Sequence, residues 1–152
     1  MSALVKKCTI SDLEAESNLA ELIAEYAAEC SIEGLPEPRG KLDLYKSIEG
    51  TGMMHAYSAH VEGVLVGFAG VISTVNPHYG IVLATTETLF VTKDARCTHA
   101  GGRLIACAKQ LAREVGSPKL FIIAPVGSVL EAMLDDRKDC LKTNSVYVMD
   151  LP

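Results

Sequence analysis

Residues 87–116 constrain this chain more than any other stretch. They run as a strand-like segment, a basic loop, two adjacent glycines and an amphipathic helix in direct succession. Leu104, Ala108, Leu111 and Val115 recur at i, i+4, i+7 and i+11, the spacing of one helix face, and Gly116 followed by Pro118 stops the repeat. A strand that turns through small residues into a helix N-terminus is an anion trap. Free backbone N–H groups and the positive end of the helix dipole converge on one point, and small side chains let a phosphate come close.

Val91 ends the strand, Arg96 lies five residues later, and Arg96-Cys97-Thr98-His99-Ala100-Gly101 precedes Gly102-Arg103-Leu104-Ile105. This segment resembles the cofactor motif of the GCN5-related N-acetyltransferase (GNAT) family, a strand ending in Val followed by Arg/Gln-x-x-Gly-x-Gly/Ala at a helix start. One position departs from the pattern: His99 stands where the first glycine is usual. Glycine reaches positive φ at little cost and His does not, while Ala100-Gly101-Gly102 offers flexibility one step later. The run Ala124-Pro125-Val126-Gly127-Ser128 is similar to small phage-encoded members of the family.

Composition narrows the remaining classes. A chain of 152 residues predicts one domain over 1–152, large enough to bury about two thirds of its unfolded surface. Net charge is −5, which disfavours non-specific nucleic-acid binding and suits a cationic partner such as an amine. No basic run is interleaved with aromatics, so no nucleic-acid surface is expected. Five scattered cysteines without a Cys-x-x-Cys pair indicate neither a metal site nor a disulfide framework, and fit a cytoplasmic setting. The start of the chain lacks the apolar core of a signal peptide. Residues 63–86 carry no charge, but Ser73, Thr74, Asn76, Pro77 and His78 interrupt them, as two buried strands joined by a turn would require rather than a membrane helix.

Along the chain, residues 5–9 read as a strand, and Ser11 with Glu14 as a capping box opening a helix through Leu19, Leu22, Ile23 and Tyr26 to about Cys30. A short second helix follows over 41–48. Residues 53–61 and 64–74 read as strands around a Glu62-Gly63 hairpin turn. Residues 81–91 form the next strand, 120–124 a short apolar one, and Ser128 with Glu131 a second capping box. Residues 146–151 alternate and read as a closing strand. These observations alone support a mixed α/β domain. The resemblance implies the GNAT fold over nearly the whole chain: a mostly antiparallel sheet, with one splayed parallel strand pair, flanked by helices.

The resemblance also implies a reaction: attack of an amine on the thioester of acetyl-CoA, the acetyl donor. Alkyl amines are protonated at neutral pH, so a base must accept a proton. Glu87, four residues before Val91, stands where several family members carry an acidic base. The plainer reading is a solvent-facing glutamate on a strand face shared with Thr85, Leu89 and Val91. For protonation of the leaving thiolate, the family's tyrosine in the last helix is absent, leaving Tyr147, Tyr79 or water. Leu89, Phe90, Val91, Arg96, Thr98, His99, Ala100, Gly101, Gly102, Arg103 and Leu104 are the expected cofactor-binding positions, mostly through backbone N–H groups. Arginine adds forked donors suited to phosphate. Family members often pair, so a homodimer is expected. A binding module of the same fold that holds acyl-CoA or a protein without turnover is the second reading.

Overall fold

Glu62 and Gly63 both take positive φ, 50° and 81°. This is the two-residue turn whose twist matches that of the strands it joins. The computed structural model describes residues 1–152. Its elements are β1 (Leu4–Cys8), α1 (Ile10–Glu14), α2 (Leu19–Cys30), α3 (Leu42–Gly50), β2 (Met54–Val61), β3 (Val64–Asn76), β4 (Ile81–Val91), a 3-10 segment (Lys93–Thr98), α4 (Ala100–Glu114), β5 (Leu120–Ile122) and α5 (Val129–Asp135). The strands form one sheet in the order β1-β2-β3-β4-β5. All pairs are antiparallel except β4–β5, which is parallel.

Side chains alternate across the sheet and build two apolar layers. On one face Ile10, Leu13, Leu19 and Leu22 from α1 and α2 cover Met54, Ala56, Leu65, Phe68 and Phe90. On the other, Leu104, Ala108 and Leu111 of α4 cover Tyr57, Ala59, Ala69, Val71, Ala84 and Val91. Alanines dominate this second interface, which brings the helix close to the strands. Tyr26 packs edge-on against both Phe68 and Phe90, with ring centroids 6.0 and 5.7 Å away, so α2 is seated directly over the end of β4.

Three local expectations need correction. The first helix is two: α1 ends at Glu14 and α2 starts at Leu19. Its capping box is Thr9 with Asp12, not Ser11 with Glu14. The Asp12 N–H donates to Thr9 Oγ1 at 3.0 Å, and the Thr9 N–H to Asp12 Oδ2 at 2.8 Å. Thr9 wins because the buried pair Ile10 and Leu13 sets the helix phase, which puts Ser11 inside it. The expected closing strand at 146–151 is not formed. The last backbone hydrogen bond runs from the Arg137 N–H to the Leu134 carbonyl, and Val146, Tyr147, Val148, Met149 and Leu151 are all exposed. An alternating segment becomes a strand only against an edge that accepts it, and no strand of this chain pairs there.

The Ser128 cap at α5 does form, its hydroxyl taking the Glu131 N–H at 3.1 Å. Glu131 reaches back one residue further than expected, accepting the Gly127 N–H at 2.6 Å.

Gly67 fixes how closely β3 approaches the end of β4. A Cβ there would lie 2.6 Å from the Phe90 carbonyl oxygen and 3.0 Å from a Val91 methyl. Gly67→Ala should therefore destabilise the fold by ~1–3 kcal/mol, as overpacking does, measured by urea unfolding. An unchanged midpoint would mean that the two strands part freely here.

Candidate functional site

The parallel pair β4–β5 is short. Ala84, Thr85 and Thr86 face Leu120, Phe121 and Ile122, and the register stops there. Beyond Thr86, β4 continues for five residues with nothing beside it on that edge. Two features part the strands. The Thr86 hydroxyl, on a residue 1% exposed, accepts the Ile123 N–H at 3.1 Å, so a side chain ends the ladder. One residue on, β4 bulges: Gly70 pairs with Thr88 and Val71 with Thr86, which leaves Glu87 without a partner.

The bulge changes which side chains face which layer. Ala84 lies in the α4 layer before it, and Val91 lies there after it with Leu89 packed alongside. The inward positions thus switch from even to odd numbers across Glu87. Glu87 turns to the opposite layer, toward α3, where the Tyr45 hydroxyl lies 3.0 Å from both carboxylate oxygens. The strand face that a regular alternation assigns to Glu87, shared with Leu89 and Val91, is therefore corrected. Solvent reaches the residue, yet the protein packed around its carboxylate raises the pKa above the ordinary carboxylate value. Burial is the larger influence, and the Tyr45 hydrogen bond pulls the other way. Tyr45 itself is pushed up, first by burial and then by the Glu87 charge. Tyr26 is shifted upward as well, mainly by burial.

At the far end of β4 the chain turns through the 3-10 segment into α4. His99 takes φ 63° and ψ 12°, the left-handed conformation, between the two helices. The histidine thus occupies the backbone state that the usual glycine supplies. The first helical bond runs from the Arg103 N–H to the His99 carbonyl at 3.1 Å, so the N–H groups of Ala100, Gly101 and Gly102 precede it. A Cβ on Gly101 would meet only a Val91 methyl at 3.9 Å, and one on Gly102 would meet nothing within 4 Å. The protein leaves that helix start open, with room for a bulky anion.

Most side chains at the expected cofactor positions have other work. Phe90 is buried in the layer under α1 and α2, and Leu104 in the layer under α4. The Thr98 hydroxyl donates to the Ala95 carbonyl at 2.5 Å. Arg96 donates to the Val91 carbonyl at 3.1 Å and pairs with Glu29 at 2.6 Å, while the Arg103 guanidinium donates to the Ala3 carbonyl. Glu25, one turn before Glu29 on α2, accepts the Lys93 N–H at 2.7 Å. Two carboxylates on one face of α2 thus tie down the loop that leads into α4. Tyr147 is 85% exposed in the unpaired tail and has no hydrogen-bond partner. Sequence reasoning missed Tyr45, because nothing local marks α3 as facing residue 87. It also missed the bulge, whose trace is the switch of apolar positions from even to odd within β4.

The chain superimposes on solved acetyltransferases over nearly its whole length. It is similar to a ribosomal-protein-alanine N-acetyltransferase from Brucella melitensis biovar Abortus 2308, with a TM-score of 0.73, 22% identity and coverage of 99% of this chain and 100% of that one. It is similar to AAC(6')-Iy in complex with the bisubstrate analog CoA-S-monomethyl-acetylneamine, with a TM-score of 0.73, 15% identity and coverage of 100% and 99%. Glucosamine-6-phosphate N-acetyltransferase from Arabidopsis thaliana gives 0.69 at 14% identity, with 99% of each chain covered. This is the GNAT fold. No protein-family model matches the chain, and no curated protein matches it in sequence.

His99 holds a conformation that costs an L-residue about 1–2 kcal/mol. His99→Gly relieves that cost but frees the unfolded chain, which takes back ~0.5–1 kcal/mol. The expected result is an unchanged or slightly raised unfolding midpoint, with His99→Val clearly below wild type. A large loss on His99→Gly would show that the imidazole makes an essential contact.

Proposed function

We propose that the chain, as one domain over residues 1–152, transfers the acetyl group of acetyl-CoA to an amine of a small molecule or protein. The observation that carries this reading is a raised-pKa carboxylate, Glu87, on a bulge where two parallel strands part. The same strand leads to an open helix N-terminus. From Glu87 to Val91 the strand spans ~13 Å at about 3.3 Å per residue, a span that the pantetheine arm between thioester and pyrophosphate bridges. Along the free edge, Leu89 and the Val91 N–H offer backbone groups to that arm, while Phe90 spends its own on β3. The turn from Thr98 through His99, Ala100, Gly101, Gly102, Arg103 and Leu104 offers the pyrophosphate its N–H groups and the helix dipole. Arg96 serves by holding that turn through Glu29 and Val91. The acetyltransferase AAC(6')-Iy, of the same fold, is solved with a CoA bisubstrate analog. The net charge of −5 favours a cationic acceptor.

In this reading the amine loses a proton to Glu87, directly or through water, and its nitrogen attacks the carbonyl carbon. The C–N bond forms, the C–S bond breaks, and the CoA thiolate leaves and takes a proton. Tyr45 is a positioning residue, holding the carboxylate toward the parted strands. Tyr147, the sequence's acid, acquires no partner in the fold, so water is the simpler proton donor. No helix is long and apolar enough to cross a membrane, and five free thiols fit a cytoplasmic protein.

CoA and acetyl-CoA should each raise the melting temperature, since a ligand that binds only the folded state stabilises it by mass action, ~2.7 kcal/mol at about 100 times Kd. No shift at millimolar concentration would remove the donor from the proposal. Shifts without thiol release across an amine and peptide panel would favour the non-catalytic binding module instead.

Glu87→Gln should cut kcat by about 10²–10⁴-fold, the range of general-base contributions, while leaving the CoA-induced melting shift in place. The loss should be largest above the Glu87 pKa while the amine is still protonated, and should narrow as rising pH frees the amine. Stability carries the opposite sign. A folded pKa raised above the unfolded value means that the ionised carboxylate costs stability, a cost that vanishes as pH falls through the ordinary carboxylate range, about 4. At neutral pH the variant should melt no lower than wild type. Equal pH–rate profiles would take Glu87 out of the chemistry.

A further inference from the structure

Met54, Ala56, Ser58 and His60 alternate along β2 onto the face of the sheet that α1 and α2 cover. Ser58 breaks this apolar row. The residue is 2% exposed, and its hydroxyl is the one buried side-chain polar atom of the protein without a hydrogen-bond partner. A buried hydroxyl left unsatisfied is costly, and such an atom calls for an explanation. The Cys8 thiol beside it is a poor substitute, because sulfur is a weak hydrogen-bonding partner. Burial pushes that thiol up to about 11, with Ser58 pulling the other way, so Cys8 stays protonated.

Ser58 belongs to the wall of a cavity of about 270 Å³ between β1, β2 and α1. The cavity lies at the β1 edge of the sheet, the opposite edge from the parting of β4 and β5. Lys6 stands directly opposite Ser58 on β1, so the two side chains leave the sheet on the same face about 5 Å apart. Lys6 and Lys7 are exposed at the mouth. Glu16 is mostly covered; its Oε1 meets His60 Nε2 at 2.7 Å, which leaves Oε2 free. Asp12, also at the mouth, is already spent on the α1 cap through the Thr9 N–H. Hydrogen-bond acceptors thus lie inside and cations outside.

We propose that this cavity binds a small free α-amino acid, its ammonium inward between Ser58 Oγ and Glu16 Oε2 and its carboxylate outward at Lys6 and Lys7. An ammonium brings three donors, enough for the hydroxyl and the carboxylate oxygen together. The buried Leu13 gives the ligand's side chain an apolar wall. A simple anion would meet Glu16 inside, and a simple cation would meet two lysines at the mouth. A zwitterion satisfies both ends. The volume falls just below the about 300–1,000 Å³ usual for drug-sized ligands, which suits a molecule of this size. The inference needs no acetyl-CoA and no turnover, so it stands apart from the proposed chemistry.

The probe is L-valine, titrated without acetyl-CoA into isotope-labelled protein and followed by amide NMR. Shifts should centre on residues 6–8, 12–16 and 58, and the melting temperature should rise. N-acetyl-L-valine lacks the ammonium and L-valinamide the carboxylate, so each should bind at least tenfold more weakly. Ser58→Ala removes the unsatisfied hydroxyl. Without ligand it should melt no lower than wild type, yet bind L-valine at least tenfold more weakly. Lys6→Met, at an exposed position, should weaken L-valine by a similar factor and leave L-valinamide unchanged. No response to L-valine at tens of millimolar overturns the proposal and leaves water as the partner of Ser58. Equal responses to all three probes overturn it, as does undiminished affinity in Ser58→Ala. Shifts centred on Glu87 would place the amino acid at the acceptor site instead and overturn it too.

Discussion

The candidate site depends on one event in the sheet, the parting of β4 from β5 after Thr86. Had the parallel ladder continued, Leu89 and Val91 would have spent their outward backbone groups on β5, and no opening would exist. The Thr86 hydroxyl prevents this by taking the Ile123 N–H that a longer ladder would have used. A single buried hydroxyl can do so because satisfying a donor is worth as much from a side chain as from a carbonyl, while an unsatisfied donor is costly. Ser117 acts similarly at the other end of the pair, accepting the Ala84 N–H at 3.0 Å and donating to the Lys119 carbonyl at 2.6 Å. The paired stretch is thus bounded at both ends by hydroxyl groups and limited to three residues.

The bulge at Glu87 follows from the same geometry. A residue added to one strand turns its side chain and those after it to the opposite faces. Without the extra residue, either Ala84 or Val91 would have to leave the layer under α4. With it, both remain inside, and Glu87 is directed at α3. Gly70, opposite the bulge, has no side chain to obstruct the turn, and a Cβ there would come 3.1 Å from Thr88 Oγ1. The carboxylate thereby enters a crowded environment that raises its pKa, and the Tyr45 hydroxyl fixes its direction. Position and acidity share one cause.

Legibility in the sequence divides along the range of the forces involved. The strand at 81–91, the turn at 62–63 and helix α4 were readable because alternation, turn propensity and helix spacing are local. Position 99 was less readable: the departure from glycine pointed to Ala100-Gly101-Gly102 for the missing flexibility, whereas His99 itself takes the left-handed conformation. The Ser11 cap was misread because Thr9, Ser11 and Asp12 are all capping residue types within four positions and offer several starts, and the buried pair Ile10 and Leu13 decides among them only in three dimensions. Tyr45 and Glu87 lie 42 residues apart, and the ties from Glu25 and Glu29 to the 93–96 loop span 67 or 68. No local pattern encodes pairings that arise only once α2 and α3 have docked on the sheet.

The tail shows the converse limit. Residues 146–151 carry a strand pattern as clear as that of β2, yet only β2 forms. The difference lies in the partner: β2 has edges on both sides and a helix layer over each face, whereas the tail has neither. Periodicity states which side chains a segment can bury, and hydrogen-bonded neighbours decide whether it does so.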